Sequence, residues 1–163
     1  MAVMTRARKR LRRRRTAPAP VPAASPSPAA EERLLGLARE LAEIPRGVSD
    51  PGAALAAAIE HLARAWLPEA PLPAAVFDAW RAARADESRA LSLAFAREQV
   101  TLGLHDLLAA TLKTGHLRDD IGPDALAWLV TAGCESLAHG GDSAERARLL
   151  IALCATRGSR DGP

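Results

Sequence analysis

Apolar positions recur at helical spacing along most of the chain, and the breaks between runs carry proline or glycine. In "EERLLGLARELAEI" (31–44), Leu34, Leu37, Leu41 and Ile44 share one face, and Pro45 with Gly47 closes the pattern. The segment "SDPGAALAAAIEHLARAWLP" (49–68) opens on Asp50 as N-cap, with Pro51 where a missing N–H costs nothing. Its stripe is Leu55, Ile59, Leu62 and Trp66, and Pro68 stops it. "PLPAAVFDAWRAARAD" (71–86) predicts a short helix with Val76, Phe77 and Trp80 on one side. A longer helix follows from about Ser88 to Thr114. Its apolar positions include Leu91, Phe95, Leu102 and Leu112, with Leu104, Leu107 and Leu108 widening the stripe. Two more helices, 123–139 and 143–157, are joined by "HGGD", a glycine turn of helix-hairpin length.

The last two helices have unusually little polar face. From Ala125 to Cys134 every residue except Thr131 is small or apolar, and Leu149 to Ala155 are apolar in succession. A helix that is hydrophobic all round must be covered on all sides. Four other helices, two of them short, are few to cover two such neighbours. A second copy across a two-fold axis supplies the cover as an intermolecular four-helix bundle. The pattern assigns that homodimer interface to Leu126, Leu129, Val130, Gly133, Cys134 and Leu137 on the first helix, and to Ala147, Leu150, Ile151 and Cys154 on the second. The small residues Ala132, Gly133, Ala147 and Ala152 let helices approach closely. The alternative is a monomer with this hairpin at its centre.

Composition sharpens the fold class. The 163 residues suffice for one domain, but much of the 48% apolar content is alanine. Aromatics are 3%, tyrosine is absent and Val, Ile and Phe are scarce, while Ala, Leu, Arg and Glu lead the helix scale. The expected fold is all-α, a bundle of about six helices over 31–157, between a disordered basic and Pro/Ala-rich tail (1–30) and a disordered C-terminus (158–163).

Charge divides the chain. Of 22 basic residues, eight fall in residues 1–15, leaving fourteen against 19 acidic residues in the remainder. The cations Arg8, Lys9, Arg10, Arg12, Arg13, Arg14 and Arg15 can hold nucleic acid by releasing counterions from phosphates. Such binding would be nonspecific, because the tail has no aromatic for stacking bases and no ordered element to read a groove. The basic start leads into "TAPAPVPAASPSPAA" rather than an apolar core, so a secretory signal is not expected. Prolines at 18, 20, 22, 26 and 28 would break a transit helix. With no apolar run of membrane-spanning length, no membrane partner is expected and the cytoplasm is the expected location.

Chemistry-bearing motifs are few. Cys134 and Cys154 lie among apolar neighbours and read as buried reduced thiols, with a disulfide between them as the minor alternative. His61, His105, His116 and His139 show no metal-ligand spacing. No nucleophile elbow, phosphate loop or paired-carboxylate pattern is present. Neither enzymatic activity nor a metal or cofactor is expected.

Residues 100–138, "VTLGLHDLLAATLKTGHLRDDIGPDALAWLVTAGCESLA", resemble the C-terminal half of TetR-type transcriptional repressors. There a long helix ends in a "G-x-L-R-x-D" turn, here Gly115, Leu117, Arg118 and Asp120, before a helix opening with Pro123, Asp124, Ala125 and Leu126. Upstream, "DPGAALAAAIEHLARAW" resembles the "D-P-x-x-A-L" start of that family's effector-binding domain. The resemblance spans roughly 31–157 and implies a small-molecule-sensing and dimerisation domain acting in transcriptional regulation. It implies an apolar effector pocket among 50–66, 71–85 and 88–114, walled by Trp66, Phe77, Trp80 and Phe95, with Gln99, Thr101 and His105 as polar contacts. The family's helix-turn-helix reader is not legible ahead of residue 31. A readerless body of this type could also pair with a full-length TetR-type regulator. The alternative is a dimeric helical interaction module that holds nucleic acid through its tail.

Overall fold

The structure, a computed structural model, describes residues 29–115 and 117–155. The arginine-rich run, with Arg8, Lys9, Arg10, Arg12, Arg13, Arg14 and Arg15, and residues 158–163 lie outside the described residues. Six helices follow in order: α1 (Ala30–Gly47), α2 (Pro51–Ala65), α3 (Pro71–Ala83), α4 (Glu87–Leu112), α5 (Pro123–Glu135) and α6 (Ser143–Cys154). A 3₁₀ turn, Ser136–His139, extends α5 to the end of the predicted segment. The described part of the fold is all-α.

Local chemistry places the helix starts. Asp50 accepts a hydrogen bond from the Ala53 amide at 2.7 Å, and Asp86 from the Arg89 amide at 3.2 Å. Asp142 takes the amides of Ala144 and Glu145, both at 3.0 Å. These carboxylates satisfy N–H groups that have no partner within the helix. At α3 and α5, which have no side-chain cap, proline stands in the first turn instead. Some expected ends move: α3 stops at Ala83 and α6 at Cys154, where Ala155 is extended, while α1 continues through Pro45 to Gly47. Proline's φ suits a helix, and this close to the end its cost is a hydrogen bond.

The core is one cluster around the middle of α4. Leu34, Leu37 and Leu41 of α1, Leu55, Ile59 and Leu62 of α2, and Val100, Leu104 and Leu108 of α4 are buried together with Leu126, Val130 and Cys134 of α5. The predicted stripes of α1 and α2 therefore face inward, with Ile44 only partly covered.

Helix α4 keeps part of its expected stripe inward, with Leu104, Leu107 and Leu108 buried and Leu112 packed against the core, and turns the rest outward. Leu93, Ala96, Val100, Leu104, Leu107, Leu108 and Thr111 point inward, whereas Leu91, Phe95 and Leu102 are exposed. The outward stripe is interrupted by Glu98 and Asp106, whose burial would cost several kcal/mol each unpaired. The inward face carries no charge. It also has Gly103 at its edge, where an added Cβ would lie 3.7 Å from the Ala38 carbonyl and from Leu41 Cβ, so α1 and α4 pack closely.

The hairpin needs a correction of the same kind. Leu126, Val130, Cys134, Leu137, Ala147 and Cys154, expected at a subunit interface, are buried within this one chain. Gly133, expected to admit a second subunit, admits α6 of the same chain: a Cβ there would stand 2.7 Å from Leu150 Cδ2. Leu129, Leu150 and Ile151 are half-buried. A single copy covers more of this hairpin than its composition suggests, because α2, α4 and the paired helix each shield one side.

The motif "GHLRDD" acts as a strap. Gly115 turns the chain at φ 74°, a conformation that disfavours residues with a Cβ. Beyond it Leu117 is buried and forms an isolated antiparallel bridge with Ala155, and the Arg118 amide donates to the Cys154 carbonyl at 3.1 Å. The Arg118 guanidinium pairs with Asp120 (Nε to Oδ1, 2.6 Å) and lies 3.4 Å from the Leu153 carbonyl. A cation is thus placed where the carbonyls of α6 end unsatisfied.

Candidate ligand cavity and outer apolar face

Five elements meet at one end of the bundle around a cavity of about 180 Å³. Leu34 comes from α1, Trp66 from the C-cap of α2, and Pro73, Val76, Phe77 and Trp80 from α3. Leu93 and Arg97 of α4 and Glu135, Ala138 and His139 at the end of the α5 segment complete it. Trp80, Leu93 and Arg97 also border a more open groove of about 490 Å³ running between α3 and the start of α4. The walls are chiefly apolar and aromatic with a few polar groups, the usual character of a small-molecule site.

The polar groups are specific. Arg97 clasps Glu135 with two hydrogen bonds, Nε to Oε1 at 2.6 Å and Nη2 to Oε2 at 2.8 Å. This paired geometry is stronger than two neutral hydrogen bonds and links α4 to α5. The hydrogen bond to Glu135 pushes the guanidinium pKa up, while burial opposes it. Trp66 is 5% exposed, and its indole Nε1 is buried with no acceptor among the described residues. Indole can only donate, so that group remains unsatisfied.

Of the six residues expected at a pocket, Trp66, Phe77 and Trp80 line this cleft. Trp66 is buried, but Phe77 and Trp80 are 65% and 58% exposed, so that Leu72 and Val76 and not the two aromatics are the buried side of α3. The other three lie elsewhere. Phe95 is 60% exposed on the outer face of α4, and Gln99 is half-buried but lines none of the cavity wall. His105 turns its ring to carboxylates, with Nε2 3.3 Å from Asp124 and Nδ1 3.4 Å from Asp106. Thr101, weighed with them, sits with its hydroxyl 3.4 Å from the Arg97 carbonyl. Phe95 departs because it shares the outward side of α4 with Leu91, Glu98 and Leu102. Arg97, Glu135 and His139 were not foreseen. Arg97 and Glu135 are 38 positions apart, and their opposite charge was the available signal.

A second feature lies on the outside. Trp128 of α5 is 58% exposed and Leu149 of α6 is 62% exposed. Ala125 and Ala132 lie one turn from Trp128 along α5, with Leu129 next to it, and Ala152 and Leu153 lie one turn from Leu149 along α6, none of them buried. Where His105 meets Asp124, Leu102 and Trp128 stand one turn further along their antiparallel helices, so the apolar surface continues onto α4.

Cys134 and Cys154 are free and buried. Burial pushes the Cys134 thiol up to about 12; it raises Cys154 to about 11, with Arg118 pulling the other way. Among the described residues no group of three His, Cys, Asp or Glu side chains gathers as a metal site, and no helix is long and apolar enough to cross a membrane. No family model, curated protein or solved structure matches the chain.

Proposed function

We propose that this chain is the effector-sensing and dimerisation domain of a TetR-type transcriptional regulator. The observation that carries the reading is the chiefly apolar cleft walled by α1 to α4 and bordered by the Arg97–Glu135 clasp. The order of elements supports it: a long α4, a turn built on Gly115 to Asp120, a proline-started α5 and a glycine-turned hairpin. In this reading a small apolar molecule enters between α3 and α4 and presses on Trp80 and Arg97. The clasp passes the displacement from α4 to α5. The outer face of the α5–α6 hairpin, with Trp128, Leu129 and Leu149, meets the same face of a second copy. Ligand binding then changes the angle between two subunits, which is what a dimeric regulator must transmit.

The test is a melting screen against small apolar compounds, combined with sedimentation of the purified chain at micromolar concentration. A ligand at a hundredfold excess over its Kd adds about 2.7 kcal/mol to stability. The expected outcome is a dimer whose melting temperature rises with a subset of compounds, an effect removed by Trp80→Ala. A monomer unaffected by every compound would defeat the reading.

A further inference from the structure

We propose that a second cleft, where the first half of α1, the last turn of α2 and the start of α3 meet, binds a phosphate monoester through Arg33 and Arg64. This goes beyond the effector-sensing reading and does not depend on it, because this cleft and the effector cleft share no wall residue.

The cleft has a volume of about 300 Å³. Arg33 of α1 and Arg64 of α2 stand in its wall beside His61, and Leu37, Pro71 and Leu72 supply an apolar side. No carboxylate is among these lining residues. That sets the cleft apart from the rest of the molecule. Among the described residues acids outnumber bases, and Arg46, Arg81, Arg89, Arg97 and Arg118 each hold a carboxylate. Among the same residues Arg33 and Arg64 hold none. Glu60, one turn before Arg64 on α2, forms no ion pair with it, and Glu40 is taken by His61, with Nε2 2.7 Å from Oε2.

Arg33 is seated by packing instead of by an acid. Its Nε is sealed from solvent without an acceptor, while its terminal nitrogens keep open surface. Arg64 is exposed. Two guanidiniums on one cleft repel each other until an anion lies between them. A phosphate monoester carries about −1.5 to −2 charge at pH 7 and three acceptor oxygens, which match two forked donors. The start of α3, the positive end of its dipole, borders the same cleft and favours the same sign of ligand. A carboxylate has one charge and two oxygens, so it leaves one arginine without a counterion. The apolar side accommodates the organic group of the ester.

The inference is tested with phenyl phosphate and benzoate on the full chain at fixed ionic strength, following the backbone amides of Leu37, Ala65 and Leu72 by NMR. These amides report the cleft itself, so phosphate held elsewhere by the arginine-rich run does not enter the reading. Phenyl phosphate should move them saturably and bind about tenfold tighter than benzoate. Arg33→Gln and Arg64→Gln should each weaken phenyl phosphate about tenfold. Arg84→Gln, which removes the same charge from the far end of α3, should leave its affinity unchanged. Because Arg64 is exposed, its replacement decides the question if Arg33→Gln fails to fold. Unmoved amides, equal weakening by Arg84→Gln, benzoate as tight as phenyl phosphate, or native affinity in Arg64→Gln overturns the inference. None of these results touches the effector cleft, which is tested separately by Trp80→Ala and the apolar compounds.

Discussion

At the scale of the residue, Thr111 and Thr131 show how one hydroxyl can act in two senses. Both are 1% exposed. The Thr111 hydroxyl lies 2.8 Å from the Leu107 carbonyl and 3.1 Å from that of Pro51, so it ties α4 to the first turn of α2. The Thr131 hydroxyl has no partner among the described residues. Valine has nearly the same shape without the polar atom. Thr131→Val should therefore raise stability by about 1 kcal/mol, and Thr111→Val lower it by about the same. Urea denaturation followed by circular dichroism reads both. The thiols give a pH dependence. In the unfolded chain they titrate near pH 9, while in the fold Cys134 and Cys154 hold their protons to about 12 and 11. Above pH 9 the unfolded state then binds fewer protons than the folded one, so stability falls as pH rises toward 11. The double variant Cys134→Ala/Cys154→Ala should lack that part of the slope when urea midpoints at pH 8 and pH 10.5 are compared.

Among elements, helices are held together by close approaches that single glycines permit. At Gly133 an added Cβ would lie 2.7 Å from Leu150 Cδ2 of α6, so that side chain must shift to admit one. Gly133→Val should cost about 2 kcal/mol, since α5 and α6 must separate or Leu150 must leave its position. Gly103 is the converse. A methyl group there meets Ala38 and Leu41 at ordinary contact distance, and alanine is the better helix former. Gly103→Ala should raise stability by about 0.5–1 kcal/mol. A pair of thermal melts is enough to see opposite signs. Both glycines read alike in the sequence, as small residues inside helices. Only the distance to the neighbouring helix separates them.

For the whole molecule, the proposed pairing depends on what remains outside once the single-chain core is complete. Leu126 and Val130 are used up inside, whereas Trp128 and Leu149 are not. Substitutions at the two exposed positions should thus act on assembly with little effect on the fold. Trp128→Glu combined with Leu149→Glu is expected to shift the chain to monomer in sedimentation velocity at micromolar concentration, with its melting temperature lowered only by the lost pairing. The inward substitution Val130→Glu should unfold the chain instead, because it buries a charge. A native chain that sediments as a monomer would remove the basis of the pairing.

Much of this architecture is legible in the sequence. The capping carboxylate of Asp50 and the prolines at 51, 71 and 123 mark helix starts through local hydrogen bonding and backbone geometry, which need no distant partner, while the caps at Asp86 and Asp142 emerge with the structure. The inward stripes of α1 and α2 were equally plain, because each has a distinct polar side. On α4 the sequence itself holds the signal, since Glu98 and Asp106 lie among Leu91, Phe95 and Leu102 and are costly to bury. On α5 and α6, apolar on more than one side, periodicity cannot choose a face and the choice falls to tertiary packing, where Gly133 lets Leu150 of α6 approach α5. The same packing brings Arg97 to Glu135 and Trp66 to Trp80, meetings between distant parts of the chain that no local pattern encodes.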